Sequence, residues 1–323
     1  SKNLMNVYWL QDSKTGHLKQ VQALLDQLKK EIELSITSIN YSNQESLSEI
    51  LSYKNQFDGP IILIGAGHDV YSKILQGKKY LEKRTDQKIF SIAVLRPSYK
   101  LNSFDLIVAP EHDFRKRHSP KNVILFKGSL ATTSHTPIDE SKAIIAIGGL
   151  SKHYKFDQEI LMKQLHYILN LYPKHKFKIF NSRRTPDSLN IKLRNELSNY
   201  PNTKFIHLDS PESDTFQVSL NESALKFVTP DSSNLVFEAL SAQGQTYLIQ
   251  IESSKYRRIF GSKKIRESMQ ELVNSKRVGV VSILYKKGGI DISKIERPSP
   301  HFEPLAEVEK VSFSIMKFIN HQE

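Results

Sequence analysis

The chain contains no cysteine, which removes disulfide frameworks, thiolate metal sites and cysteine nucleophiles, and which fits a reducing compartment. No run reaches the roughly 18 apolar residues that a membrane-spanning helix needs. The apolar stretch at residues 4–10 meets Asp12, Ser13 and Lys14 too early to be the apolar region of a secretion signal. The expectation is a soluble, cytoplasmic protein. No zinc-finger spacing, RNP-like aromatic stretch, basic zipper or G-x-x-x-x-G-K-[ST] loop occurs, so common nucleic-acid modules and P-loop ATPases fall away.

What is present is 323 residues, 39% of them apolar, enough for two domains with a core in each. Lys and Arg number 46 against 34 Asp and Glu, a formal charge of +12. The basic residues are scattered, as in Lys29-Lys30, Lys78-Lys79, Arg183-Arg184 and Lys286-Lys287, rather than gathered on one recognition helix. Anionic small substrates or an anionic membrane surface are therefore expected partners, and nucleic acid is not.

Short β-rich runs alternate with amphipathic stretches, the pattern of parallel sheets covered by crossover helices. Strands are predicted at residues 4–10, 34–39, 60–65, 88–95, 104–109 and 122–126, with helices at 17–30, 45–55 and 69–83. Polar, turn-prone residues 129–142 read as a linker. A second unit follows, with strands at 143–147, 176–180, 204–208, 225–229, 246–251 and 278–281. Its helices are predicted at 157–172, 187–199, 214–222, 232–242 and 255–275. A last helix at 304–320, with Leu305, Val308, Ser312, Ile315, Met316 and Ile319 nearly on one face, is expected to return to the first domain. The expected domains are thus 1–135, 136–303 and a crossover helix at 304–323: an α/β chain of two Rossmann-like, doubly wound domains facing across a cleft. Ligands of such sheets sit beyond the carboxyl ends of the strands.

Those strand ends carry the candidate chemistry. Asp12, Lys14, Gly16 and His17 follow the first strand; a histidine at a helix N-terminus is favoured in its neutral, proton-accepting form, and Asp12 can orient it or act as the base itself. Gly65 and Gly67 follow the third strand, but Val70 stands where a dinucleotide fingerprint needs its third glycine. Pro110 leads into Glu111, His112 and Asp113, which can divide acid and base roles or form a plain polar loop. In the second unit Gly148 and Gly149, with Ser151 and Lys152, suit a backbone approaching an anion closely. Ser182, Arg183 and Arg184 bring two guanidinium forks to the same edge. Thr229, Asp231, Ser232 and Ser233 form a cap before a helix whose N–H groups attract a diphosphate, and Glu238 can accept from ribose hydroxyls.

The ordered series Trp9, Leu10, Asp12, Lys14, Gly16, His17; Gly65-Ala66-Gly67; Pro110-Glu111-His112-Asp113; Gly148-Gly149; Ser182-Arg183-Arg184-Thr185-Pro186; and Thr229-Pro230-Asp231-Ser232 resembles the mitochondrial-fission ELM family. Pro230 and Asn234 depart from that family's pattern. The family is similar in fold to GT-B glycosyltransferases, whose second domain holds a nucleotide sugar and whose first holds the acceptor. The resemblance puts Glu238 in the ribose place, Ser232 and Ser233 beside the diphosphate, and the Gly16-His17 loop against the reacting sugar. It implies sugar transfer from a nucleotide-sugar donor to an acceptor hydroxyl, and the basic surface suits a peripheral enzyme that meets a bacterial-envelope glycan or lipid at the anionic inner membrane. No cofactor is expected, and the absence of any Asp-x-Asp sequence argues for charge stabilisation by Arg and helix ends rather than metal. A nucleotide-sugar epimerase and a non-catalytic interaction protein on the same scaffold remain the alternatives.

Overall fold

The computed structural model describes residues 4–40, 47–51, 58–114, 118–151, 154–252, 263–284 and 292–322. The chain divides into two compact units, one of Ser1–Thr132 with Ala306–Glu323, the other of Thr133–Leu305.

In the first unit, strands β1 (Leu4–Gln11), β2 (Glu33–Asn40), β3 (Ile61–Ala66), β4 (Ile89–Val94), β5 (Leu106–Pro110) and β6 (Val123–Phe126) form a parallel sheet in the order β2-β1-β3-β4-β5-β6. β3 and β4 are buried along their whole length, which is why they read as unbroken apolar runs rather than alternating ones. Helices α1 (Thr15–Lys29), α2 (Leu47–Leu51) and α3 (His68–Glu82) are crossovers. α1 buries Val21, Leu24, Leu25 and Leu28, the spacing of one helical face. Strand order reverses between β1 and β3, so the loops leaving these two strands flank the switch point where open sheets bind ligands.

The second unit has strands β7 (Asp139–Ala146), β8 (Lys176–Phe180), β9 (Thr203–Ile206), β10 (Ser223–Val228), β11 (Gln245–Ile249), β12 (Gly279–Leu284) and β13 (Ile292–Glu296), in the order β13-β12-β11-β10-β7-β8-β9. Its helices are α4 (Gln158–Leu171), α5 (Asp187–Leu197), α6 (Phe216–Glu222), α7 (Ser233–Leu240) and α8 (Lys263–Asn274). Here the order reverses between β7 and β10. The final helix α9 (Glu307–His321) belongs to the first unit, where Val308, Val311, Ile315 and Ile319 enter the core beside α1. Its Glu307 side chain accepts from the Lys127 N–H at 3.1 Å.

Several expectations shift. The helix predicted at 214–222 is a short 3-10 turn, Pro211–Thr215, followed by α6. β7 begins inside the predicted linker, because Asp139, Glu140 and Ser141 are an exposed lead-in whose polarity reads as a turn. β13 escaped prediction: it is an antiparallel edge strand, with Lys294 and Glu296 carrying the charge that edges commonly bear. Parts of the helices predicted at 45–55 and 255–275 lie outside the described residues.

Lys226, on β10, is fully buried, and its amine donates to the Ala239 carbonyl at 2.8 Å, in the last turn of α7. Burial pulls its pKa down to about 7. The unfolded amine titrates near 10.5, so it takes up protons that the folded one refuses as pH falls from about 10.5 to about 7. Stability contributed by the neutral amine is therefore full above that window, declines through it and is flat below. Between pH 7 and 9.5, wild type should gain about 2–3 kcal/mol over Lys226→Met in urea unfolding; a pH-independent difference would show that the amine is charged in the fold.

Candidate functional site

In the first unit, β1 ends at Gln11 and the chain turns at once into α1, with Lys14 at the N-cap and no side-chain cap there. Asp12 instead spends one carboxylate oxygen on the Lys14 N–H, at 3.1 Å, and the other on His17 Nδ1, at 2.7 Å. Facing a carboxylate, Nδ1 is the donor, so in the neutral form of the ring the lone pair is on Nε2; the side chain is 23% exposed. Gly67, at the end of the neighbouring β3, has φ +119°, and a Cβ there would strike the Asp12 carboxylate and sit 2.9 Å from His17 Nδ1. Its missing side chain is the space in which the pair forms. Gly65 serves packing instead: a Cβ would strike the Leu10 carbonyl. Gly16 is the second residue of α1, and Lys14 is exposed.

Tyr71, on α3, donates to the Val94 carbonyl at 2.7 Å and accepts from the Gly67 N–H. Burial pushes its hydroxyl up to about 12, and the carboxylates of Asp12 and Asp113 push the same way. Glu111, His112 and Asp113 form a single 3-10 turn after β5. Glu111 is exposed, whereas His112 Nε2 stands 3.6 Å from Asp113 Oδ1. Tyr71 is thus a residue of this corner that the sequence reading missed. Asp113 lay inside the Pro-Glu-His-Asp motif, but Tyr71 reads as an ordinary apolar helix position.

In the second unit, three strand-end loops interlock around a buried carboxylate. The Gly148 N–H donates to Thr229 Oγ1 at 2.7 Å, the Gly149 N–H to Asp231 Oδ2 at 2.8 Å, and the Leu150 N–H to the Arg184 carbonyl at 3.0 Å. The Thr229 hydroxyl also hydrogen-bonds to the Asp231 carboxylate. Thr185 accepts from the Ser182 N–H at 3.0 Å and donates to the Gly148 carbonyl. A Cβ on Gly148 would strike the Asp231 carboxylate, and one on Gly149 the Arg184 carbonyl. Burial raises the Asp231 pKa against the pull of Thr229, the Gly149 N–H and Arg184. Its Oδ1 is buried without a hydrogen-bond partner.

This geometry corrects part of the expectation. The Gly149 amide does approach a carboxylate, but it is Asp231 of the same unit, and the Gly148 amide is taken by the Thr229 hydroxyl, so neither is free to cradle a ligand phosphate. Thr229 and Asp231 act on the loop rather than on a donor. Asp231 is also not the helix cap: Ser232 is, its hydroxyl accepting from the Leu235 N–H at 3.3 Å. What faces outward is cationic. The Arg184 side chain is 47% exposed, with its guanidinium 3.6 Å from Asp231 Oδ2, and Arg183 is exposed beside it. Ser233 opens α7, and half-buried Glu238 follows further along the same helix. Ser151 bridges to Tyr154, and Lys152 lies outside the described residues. Thr185 is the residue whose role the sequence reading missed, although it sits within the Ser-Arg-Arg-Thr-Pro motif.

Gly67→Ala should cost at least about 1 kcal/mol in urea unfolding, because it adds atoms where the backbone is left-handed and the pocket is full. Long-range nitrogen–proton NMR should show Nδ1–H as the His17 tautomer in the wild type and a mixture in the variant. Unchanged stability and tautomer would show that Gly67 does not shape the pair.

A profile of the Mitochondrial fission ELM1 family matches residues 15–318. The Mitochondrial fission protein ELM1 of Arabidopsis thaliana is 20% identical over 269 residues, covering 72% of this chain, and the chain spans 62% of that relative's length. Among solved structures, the UDP-GlcNAc 2-epimerase of Neisseria meningitidis bound to UDP-GlcNAc is similar at a TM-score of 0.51 and 11% identity, over 98% of this chain and 99% of the other. A putative UDP-N-acetylglucosamine 2-epimerase of Listeria monocytogenes is similar at 0.50 and 12% identity, over 86% and 89%. These likenesses are of fold, and the fold is GT-B-like. With the matched region running from the first helix through nearly all of the last, the chain belongs to the Mitochondrial fission ELM1 family.

Proposed function

We propose that this protein is a metal-independent glycosyltransferase that moves a sugar from a nucleoside-diphosphate donor to an acceptor hydroxyl. The observation that carries this reading is the unlike chemistry at the two switch points: an exposed Arg184 beside the N-terminus of α7 in one unit, a His17–Asp12 pair in the other. A guanidinium fork and a positive helix end match a diphosphate. An imidazole fixed by a carboxylate, with its second nitrogen unprotonated, matches a hydroxyl that must lose a proton.

In the proposed reaction, the acceptor oxygen bonds to the anomeric carbon as that carbon's bond to the phosphate oxygen breaks. The acceptor proton passes to His17 Nε2, and Asp12 stabilises the imidazolium that results. The electron pair of the broken bond leaves with the nucleoside diphosphate, whose charge Arg184, Arg183 and the α7 N-terminus offset. Glu238 takes the ribose hydroxyls. Because the Neisseria relative of this fold binds UDP-GlcNAc, uridine nucleotides are the first donors to try. The +12 charge suits an enzyme that meets its glycan or lipid acceptor at an anionic envelope membrane; among the described residues no helix is long and apolar enough to cross one.

The second reading, nucleotide-sugar epimerisation, draws on Asp12 and Asp113 both acting on the Tyr71 hydroxyl, which gathers two carboxylates at one sheet edge. Incubation with UDP-GlcNAc alone separates the two, since only an epimerase changes the sugar without an acceptor.

Calorimetry with UDP should show Arg184→Ala and Glu238→Ala each weakening binding roughly ten-fold or more. His17→Ala should leave UDP affinity within about two-fold while lowering kcat by about 100-fold to 10,000-fold. Failure of the wild type to bind UDP, GDP or CMP would favour a binding protein on a retained enzyme scaffold.

A further inference from the structure

The opposite edge of the second unit's sheet holds a cavity of about 610 Å3, where β7, β10 and β11 begin. That volume is within the roughly 300–1,000 Å3 of small-molecule sites. The candidate site lies at the carboxyl ends of these strands, so the two are separated by the length of the sheet.

One wall is residues 298–304, and it stands without help from a ligand. Pro298, Pro300 and Pro304 fix their own backbone angles. The Ser299 N–H donates to the Lys276 carbonyl at 2.8 Å, and the Leu305 N–H to the Leu240 carbonyl at 2.9 Å. The Arg277 guanidinium lies 4.7 Å from the centre of the Phe302 ring and also donates to the Glu303 carbonyl. A wall held this way does not need to be ordered on binding, which lowers the entropic cost of occupancy.

The lining has two textures. Its buried lining, here called the floor, is aliphatic, from Ala224, Leu225 and Leu240, while exposed Glu140 and His301 with half-buried Gln243 bring planar polar groups and are called the rim. Thr246, also among the lining residues, is 2% exposed, and its hydroxyl has no hydrogen-bond partner. Acidic Glu140 and Glu303 are set against Arg277, so a nucleotide or other polyanion finds no net positive field here. A purely apolar guest would strand the rim's donors and acceptors. The matching ligand has a C–H face for the floor and a ring of hydroxyls, each able to donate and accept, for the rim. A pyranose has that shape.

We propose that this cavity is a second ligand site, one that takes a free hydroxyl-rich sugar independently of any nucleotide. Saturation-transfer NMR on the full chain, with glucose, galactose and N-acetylglucosamine as probes, tests it. At least one probe should show transfer, the Glu140→Ala/His301→Ala double variant should weaken its binding ten-fold or more, and excess UDP should leave the signal in place. Both substituted side chains are exposed; if that variant melts early, Gln243→Ala replaces it with the same expectation. No transfer from any probe, binding indifferent to the variants, or displacement of the sugar by UDP would each overturn the proposal. Calorimetry with UDP on the same sample keeps the readings apart: sugar transfer without UDP binding sinks only the nucleotide reading.

Discussion

A carboxylate held out of water must be met by donors where it lies, and around Asp231 the second unit brings one backbone amide and two side chains, leaving Oδ1 without a partner. The Gly149 amide, the Thr229 hydroxyl and the Arg184 guanidinium all turn toward it. Because these groups come from loops after β7, β8 and β10, satisfying one charge fixes three strand ends at once. The outward presentation of Arg184 and the start of α7 follows from that. Without Asp231 the glycine loop would lose the acceptor for one amide, and Arg184 the charge that holds it near the helix.

The first unit solves a related problem by omission. His17 and Asp12 occupy the volume that a side chain at position 67 would fill, and the left-handed backbone of Gly67 turns the chain aside just there. Tyr71 braces the same corner through Val94 and the Gly67 amide. One unit therefore builds its edge by adding contacts to a charge, the other by withholding atoms from a pair.

Much of this was legible in the sequence because two of its signals are local. Unbroken apolar runs such as residues 61–66 and 89–94 announce strands buried on both faces, and α1 repeats Val21, Leu24, Leu25 and Leu28 at helical spacing. The candidate positions were also legible, since strand-to-helix loops are where open sheets place ligands. What escaped was partnership across the sheet. Nothing local in Gly148-Gly149 reveals that its amides are claimed by residues 229 and 231, some eighty positions on. Thr185 and Tyr71 escaped for the same reason, as a hydroxyl's partner depends on register between strands distant in sequence. β13 was missed because an exposed edge strand with Lys294 and Glu296 lacks the apolar signature of its buried neighbours.

α7 has a property at each end. Its first turn stands beside the exposed Arg184, and its last residue and C-cap moor both passages of the chain out of the second unit: the Ser134 N–H to the Ser241 carbonyl at 2.8 Å, the Leu305 N–H to the Leu240 carbonyl at 2.9 Å. An eight-residue helix is about 12 Å long and stiff along its axis. The same short rod that sets the edge around Ser232 thus also sets, at its far end, where the chain enters the second unit and where it departs.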